Sequence, residues 1–271
     1  MEGIQASFSR VTGESPWGDE SYPWSESHST CVITKAAGTT YGAAKEVSVV
    51  PVKIGYLSQE TLAEGMDEAL GAIIENQLHG RAIVLITMAS RYPLYPDNPR
   101  PDVQEVRRLA DELFGQGVPI VLAAGNSARR GSSQRQNIDT MPPTLARVLP
   151  VINVGNVEWS GDFYHTSQRG PLLSISAMGT DITCLDKNGR LKYDTGTSYS
   201  APLVAAHIAI LISTHDPDLP FNERGISGEE YVRRIKRYVE DKANSVRVPG
   251  GPKVLWNMAT ARDHRLAPAV C

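Results

Sequence analysis

Apolar residues along this chain alternate between two periods, and that alternation is the main guide to its architecture. Val47-Ser48-Val49-Val50-Pro51-Val52-Lys53 is rich in β-branched residues and predicts a strand. Leu62, Met66, Ala69, Leu70, Ile73 and Ile74 then fall three and four apart, on one face of a helix for which Ser58 can serve as N-cap. Ala82-Ile83-Val84-Leu85-Ile86 is an apolar run short enough for a strand covered on both sides. Val103, Val106, Leu109, Ala110 and Leu113 mark a second helix ending at Gly115, and Ile120-Val121-Leu122-Ala123-Ala124 the strand after it. Further strands are predicted at 151–154 and 172–175, a helix buried on all sides at 202–212, and a polar helix at 228–241. Repeated β-α units with nearly continuous apolar strands imply an α/β fold, a doubly wound and mostly parallel sheet with helices on both faces. Residues 1–30 show neither period and read as loop, with 1–26 and the tail 242–271 irregular.

A length of 271 residues fits a single domain spanning 1–271. With 41% hydrophobic and 21% charged residues and a net charge of -3, the composition is that of a soluble globular protein, which disfavours disorder and a membrane role. Basic residues are scattered apart from Arg129-Arg130 and Arg233-Arg234, so no stripe for nucleic acid forms. Cys31, Cys184 and Cys271 suggest neither a disulfide framework nor a metal cage. No Gly-x-Gly-x-x-Gly or Walker pattern is present, so no nucleotide cofactor is expected. The stretch from Met1 carries no secretory signal, which points to a cytoplasmic location for the sequence as written, and to secretion if an upstream exon precedes it.

Ligands of a parallel sheet sit outside the carboxyl ends of its strands, and three segments supply chemistry there. Gly196-Thr197-Ser198-Tyr199-Ser200-Ala201-Pro202 places a serine between a glycine turn and an apolar helix, whose N-terminal field favours an oxyanion. Taken alone, Ser198 would be a helix cap. Val121-Leu122-Ala123-Ala124-Gly125-Asn126 delivers an asparagine amide to the same edge, though an isolated Gly-Asn reads as a turn. Ser27-His28-Ser29-Thr30-Cys31, followed by Tyr41-Gly42-Ala43-Ala44-Lys45, adds a histidine that by itself would be solvated surface.

Together, in the order His, Asn, Ser, these segments resemble the motifs of the subtilases, the subtilisin-like serine proteases, in their proteinase K/kexin-like branch. Gly-Thr-Ser-x-x-x-Pro is the specific match, while the histidine motif has Ser29 for a glycine and Cys31 for a second histidine. The resemblance implies Ser198 as nucleophile, His28 as general base and Asn126 as oxyanion donor. It implies a polypeptide substrate lying along Ala89, Ser90, Arg91, Ala124 and Gly125 as an added strand. No cofactor is expected, although the family often holds structural calcium on loop carbonyls.

The chain also departs from the family. Its triad aspartate belongs on the first core strand, and here Met1-Glu2-Gly3 fills that register, so the carboxylate and one central strand are both missing. Glu2, Asp19 and Glu26 lack the family geometry for a substitute. Arg91 stands where the cleft has glycine and Pro93 removes a donor, while Met178 replaces a proline and Ala206 a glycine. Two functions follow: a serine endopeptidase weakened by the lost aspartate, or a catalytically inactive subtilase-fold module that binds a peptide or partner protein. An α/β-hydrolase esterase is disfavoured, because the serine segment misses the last glycine of the nucleophile elbow and the histidine precedes the serine. His79, His165, His207, His215 and His264 match no motif.

Overall fold

The computed structural model describes residues 11–12, 23–54, 57–129, 135–215, 217, 219–243 and 250–255. In chain order these form β1 (Val11–Thr12), α1 (Pro23–Ala37), β2 (Lys53–Ile54), α2 (Gln59–Glu75), β3 (Val84–Ile86), α3 (Pro101–Gly115) and β4 (Ile120–Ala123). After a short 3-10 helix, Pro143–Arg147, come β5 (Ile152–Val157), β6 (Ile175–Met178), β7 (Ile182–Leu185), β8 (Leu191–Asp194), α4 (Thr197–Thr214) and α5 (Gly228–Lys242). The sheet is four parallel strands in the order β3-β4-β5-β6.

The helices form where the apolar period and the caps agree. The Ser58 hydroxyl accepts the Thr61 N–H at 3.1 Å and the Thr61 hydroxyl accepts the Ser58 N–H at 3.3 Å, a capping box that satisfies two orphan donors of α2. Leu62, Met66, Leu70 and Ile73 are buried as the period requires, while Ile74 falls at the margin of the stripe and is exposed. Pro101 opens α3 at a position that lacks a hydrogen-bond partner anyway, and Val103, Val106, Leu109, Ala110 and Leu113 are buried below it.

Alternation along β4 divides the core in two. Ile120 and Leu122 join α2 and α3 on one face, whereas Val121 and Ala123 join α4 and α5 on the other. The sheet is therefore covered on both sides, as the doubly wound expectation requires. α4 is long and apolar enough to cross a bilayer by composition, but 61% of that span is buried in the molecule, with contacts to β4, β5 and β6; it is not buried on all sides, since Ile210 is exposed.

β3 differs from the strands beside it. Among the described residues it has no partner on its outer side, and Val84 and Leu85 are half-buried where every residue of β4 and β5 is buried. The strand expected over 47–53 shrinks to Lys53–Ile54, which pairs in parallel with Val11–Thr12 instead of joining the main sheet.

Three features correct the sequence reading. Residues 23–30 are not loop but the first half of α1, which lacks a strong apolar stripe and is held by packing on α4 and β7. The antiparallel pair β7–β8 was not anticipated; its turn depends on Gly189, whose φ of 75° is in the left-handed region. Cys31 and Cys184, from which no disulfide was expected, are bonded with a Cα–Cα distance of 5.1 Å across a sequence separation of 153. A contact between such distant positions is set by the tertiary fold, so spacing could not disclose it.

Candidate active site

The carboxyl ends of β3 and β4 meet the first turn of α4. Thr197 joins two of the expected residues there. Its N–H donates to Asn126 Oδ1 at 3.0 Å and its hydroxyl donates to the same oxygen at 3.1 Å. A backbone N–H can only donate, so this contact identifies Oδ1 and leaves Nδ2 as the donor of the Asn126 amide. The Thr197 hydroxyl also accepts the Gly125 N–H at 3.2 Å, so strand end and helix start are fixed to one another. Gly125 has a φ of 109°, and a Cβ there would meet Gln168 Oε1 at 2.2 Å, so only glycine fits the turn that turns Asn126 out of the sheet.

Ser198 is the second residue of α4 and is buried. Its hydroxyl donates to the Thr87 carbonyl, just past β3, at 3.3 Å. His28 lies near the start of α1, with its ring 5.4 Å from that of Tyr199, the residue after Ser198. Burial lowers the His28 pKa below 6.5; Asp194 opposes that by raising it and Lys192 adds to the lowering. Among the described residues no hydrogen bond joins His28 to Ser198. The structure thus brings Asn126 and Ser198 into one bonded unit and places His28 beside it through Tyr199.

The expected substrate-binding residues divide. Ser90 is engaged within the chain: its N–H donates to the Met141 carbonyl at 2.7 Å, and its hydroxyl accepts the Met141 N–H at 3.1 Å and donates to the Tyr92 carbonyl at 2.9 Å. Leu94 continues this pairing by donating to the Asp139 carbonyl at 2.8 Å. Ala89 is half-buried and Arg91 exposed, with its guanidinium 5.8 Å from the Tyr92 ring centre. Ala124 donates to the Val154 carbonyl at 3.0 Å, and the Gly125 carbonyl accepts the Gln168 N–H at 2.9 Å.

Met1, Glu2 and Asp19, and the side chain of Glu26, lie outside the described residues. Asp194 is a carboxylate near the site that the sequence reading did not single out. It ends β8 four residues before Ser198, and the Tyr199 hydroxyl donates to its Oδ2 at 2.6 Å. Its nearness to the serine in sequence was a usable signal. Among the described residues no group of three His, Cys, Asp or Glu side chains is placed to hold a metal ion.

The fold and the site's position define a doubly wound α/β protein with its candidate chemistry where the strand ends meet the N-terminus of α4. The Subtilase family model matches residues 6–255, and the chain belongs to that family. The chain is 25% identical over 265 residues to the subtilisin-like serine protease Pen c 1 of Penicillium citrinum, covering 94% of this chain and 59% of that protein. It is 29% identical over 192 residues to subtilisin-like protease 2 of Trichophyton rubrum, covering 69% of this chain and 41% of that one. The chain therefore spans well under two thirds of the length of these relatives. Among solved structures, that of a cold-adapted subtilisin-like serine proteinase matches with a TM-score of 0.64 at 22% identity, covering 86% of this chain and 75% of the other, which establishes the fold.

Proposed function

We propose that this chain is a weakened serine endopeptidase. The observation that carries the reading is the Thr197 network, which holds the Asn126 amide against the helix turn bearing Ser198. In the proposed reaction Ser198 Oγ attacks a peptide carbonyl carbon while its proton passes to His28. The carbonyl oxygen takes the electron pair and is stabilised by Asn126 Nδ2 and the N-terminal field of α4. Collapse of that intermediate expels the amine, which takes the proton from His28, and water then releases the acyl group. The Cys31–Cys184 bond favours an oxidising compartment for this activity.

A specific observation favours a second reading. The Ser198 hydroxyl is directed to the Thr87 carbonyl and not to His28, which suits a catalytically inactive module that binds a peptide or partner protein. Labelling with a fluorophosphonate probe separates the two, because it needs an activated serine and not merely a pocket. The endopeptidase reading expects labelling that disappears in Ser198→Ala. A folded wild-type protein that takes no label would sink it and leave the binding module.

A further inference from the structure

The reaction proposed above is helped by a negative charge near His28, since a half-buried histidine that accepts the serine proton becomes a cation. By the family resemblance that carboxylate belongs in the register of Met1-Glu2-Gly3, outside the described residues. We propose, resting on the endopeptidase reading, that Asp194 is the positioning residue for His28, its carboxylate bonded to Tyr199 on a hairpin that a disulfide clamps to α1.

The placement follows from several independent contacts. Cys31 lies one helical turn beyond His28, and its bond to Cys184 ties α1 to β7. Cys184 lies opposite Lys192 in the β7–β8 pair, and Ile182 opposite Asp194, so the tether fixes the strand that presents the carboxylate. The hairpin's turn also touches α1, where Ser27 Oγ accepts the Lys187 N–H at 3.4 Å. Asp194 is itself fully held. Oδ1 accepts the Thr195 N–H at 2.9 Å, and Oδ2 accepts the Tyr199 hydroxyl at 2.6 Å and the Lys192 ammonium at 2.6 Å. Burial acts to raise its pKa, but the Lys192, Tyr199 and Thr195 donors outweigh it and keep the carboxyl below the usual carboxylate range. Asp194 is thus ionised at neutral pH.

The Tyr199 side chain meets both groups: its hydroxyl donates to Asp194, and its ring lies 5.4 Å from that of His28, tilted by 53°. Among the described residues no hydrogen bond joins Asp194 to His28, so Asp194 acts through space and takes no proton; the proton from Ser198 rests on His28 until the leaving amine takes it. The charges that act on His28 from the elements around it are Asp194 and Lys192 of β8, while Tyr199 of α4 meets it as a ring. β7 offers no titrating side chain, because Cys184 is oxidised, and His207 lies farther along α4. A carboxylate and an ammonium at one site push His28 in opposite directions, and this gives the proposal a signature that a structural role would not share.

The test is an NMR titration of the histidine side chains in the full chain, with His28 identified by its loss in His28→Gln, alongside the rate of fluorophosphonate labelling. Asp194→Asn keeps an acceptor for Tyr199 and should lower the His28 pKa and slow labelling about tenfold. Lys192→Met should raise the His28 pKa. Opposite movements in the two variants support Asp194 as the partner of His28; a His28 titration unmoved by both overturns it. If wild-type Ser198 takes no label, the endopeptidase reading falls, and the titration still decides whether Asp194 governs His28.

Discussion

The two halves of the candidate site are built differently. Asn126 and Ser198 stand at the ends of a fully buried strand and a core helix, and Thr197 bonds one to the other. His28 stands on α1, which packs on α4 and β7 and is tied down by a disulfide. The first half inherits its geometry from the sheet, so it persists wherever the sheet folds. The second depends on a hairpin and one covalent bond, so it can be disturbed with the core left in place.

The largest effect that would break this contrast comes from the disulfide. Replacing Cys31 and Cys184 by serine should lower stability by about 4 kcal/mol, because the closed loop is long. Hydrogen exchange should report the loss of protection in α1 and β7–β8 first, with α4 retained. Equal loss in α4 would mean that the two halves are not separable. On the other side, Asn126→Ala should reduce the fluorophosphonate labelling rate about 100-fold and cost about 2 kcal/mol in stability, because it strands the buried Thr197 N–H. Thr197→Val removes the hydroxyl that links Gly125 to Asn126 and should cost about 1.5 kcal/mol in urea unfolding, part of it from the stranded Gly125 N–H.

The smallest effect is in pH. Burial lowers the His28 pKa, so the folded state binds its proton less readily than the unfolded one. The stability due to neutral His28 is then complete above the ordinary 6.5 and is lost as pH falls through 6.5 toward the lowered folded value. Urea midpoints should fall from pH 8 to pH 5 by more in the wild type than in His28→Gln. An identical fall in both would remove His28 from the account.

Much of the first half was legible in the sequence. The apolar runs ending at Ile86 and Ala123 and the Gly-Thr-Ser turn before an apolar helix each carry their structure locally, and Ser58 could be assigned as a cap from its place before a periodic helix. The second half was not. α1 has no clear amphipathic stripe to announce it, the β7–β8 hairpin has strands of four residues, and its strand Leu191–Asp194 is partly exposed. Ser90 was expected to pair outward, yet its donor is used on Met141, a choice made by the segment packed beside it.

The sequence by itself determined the parallel sheet, the two faces of its core, the family, and the placement of Ser198 and Asn126 at strand and helix ends. These follow from periodicity and turn chemistry, which act over a few residues. Only the tertiary structure decided that His28 rides on a helix, that Cys31 meets Cys184, and that the hairpin carrying Asp194 and Lys192 is tied to that helix. Those are contacts between segments far apart in the chain, and no local pattern encodes a distance that the folding of everything between them must set.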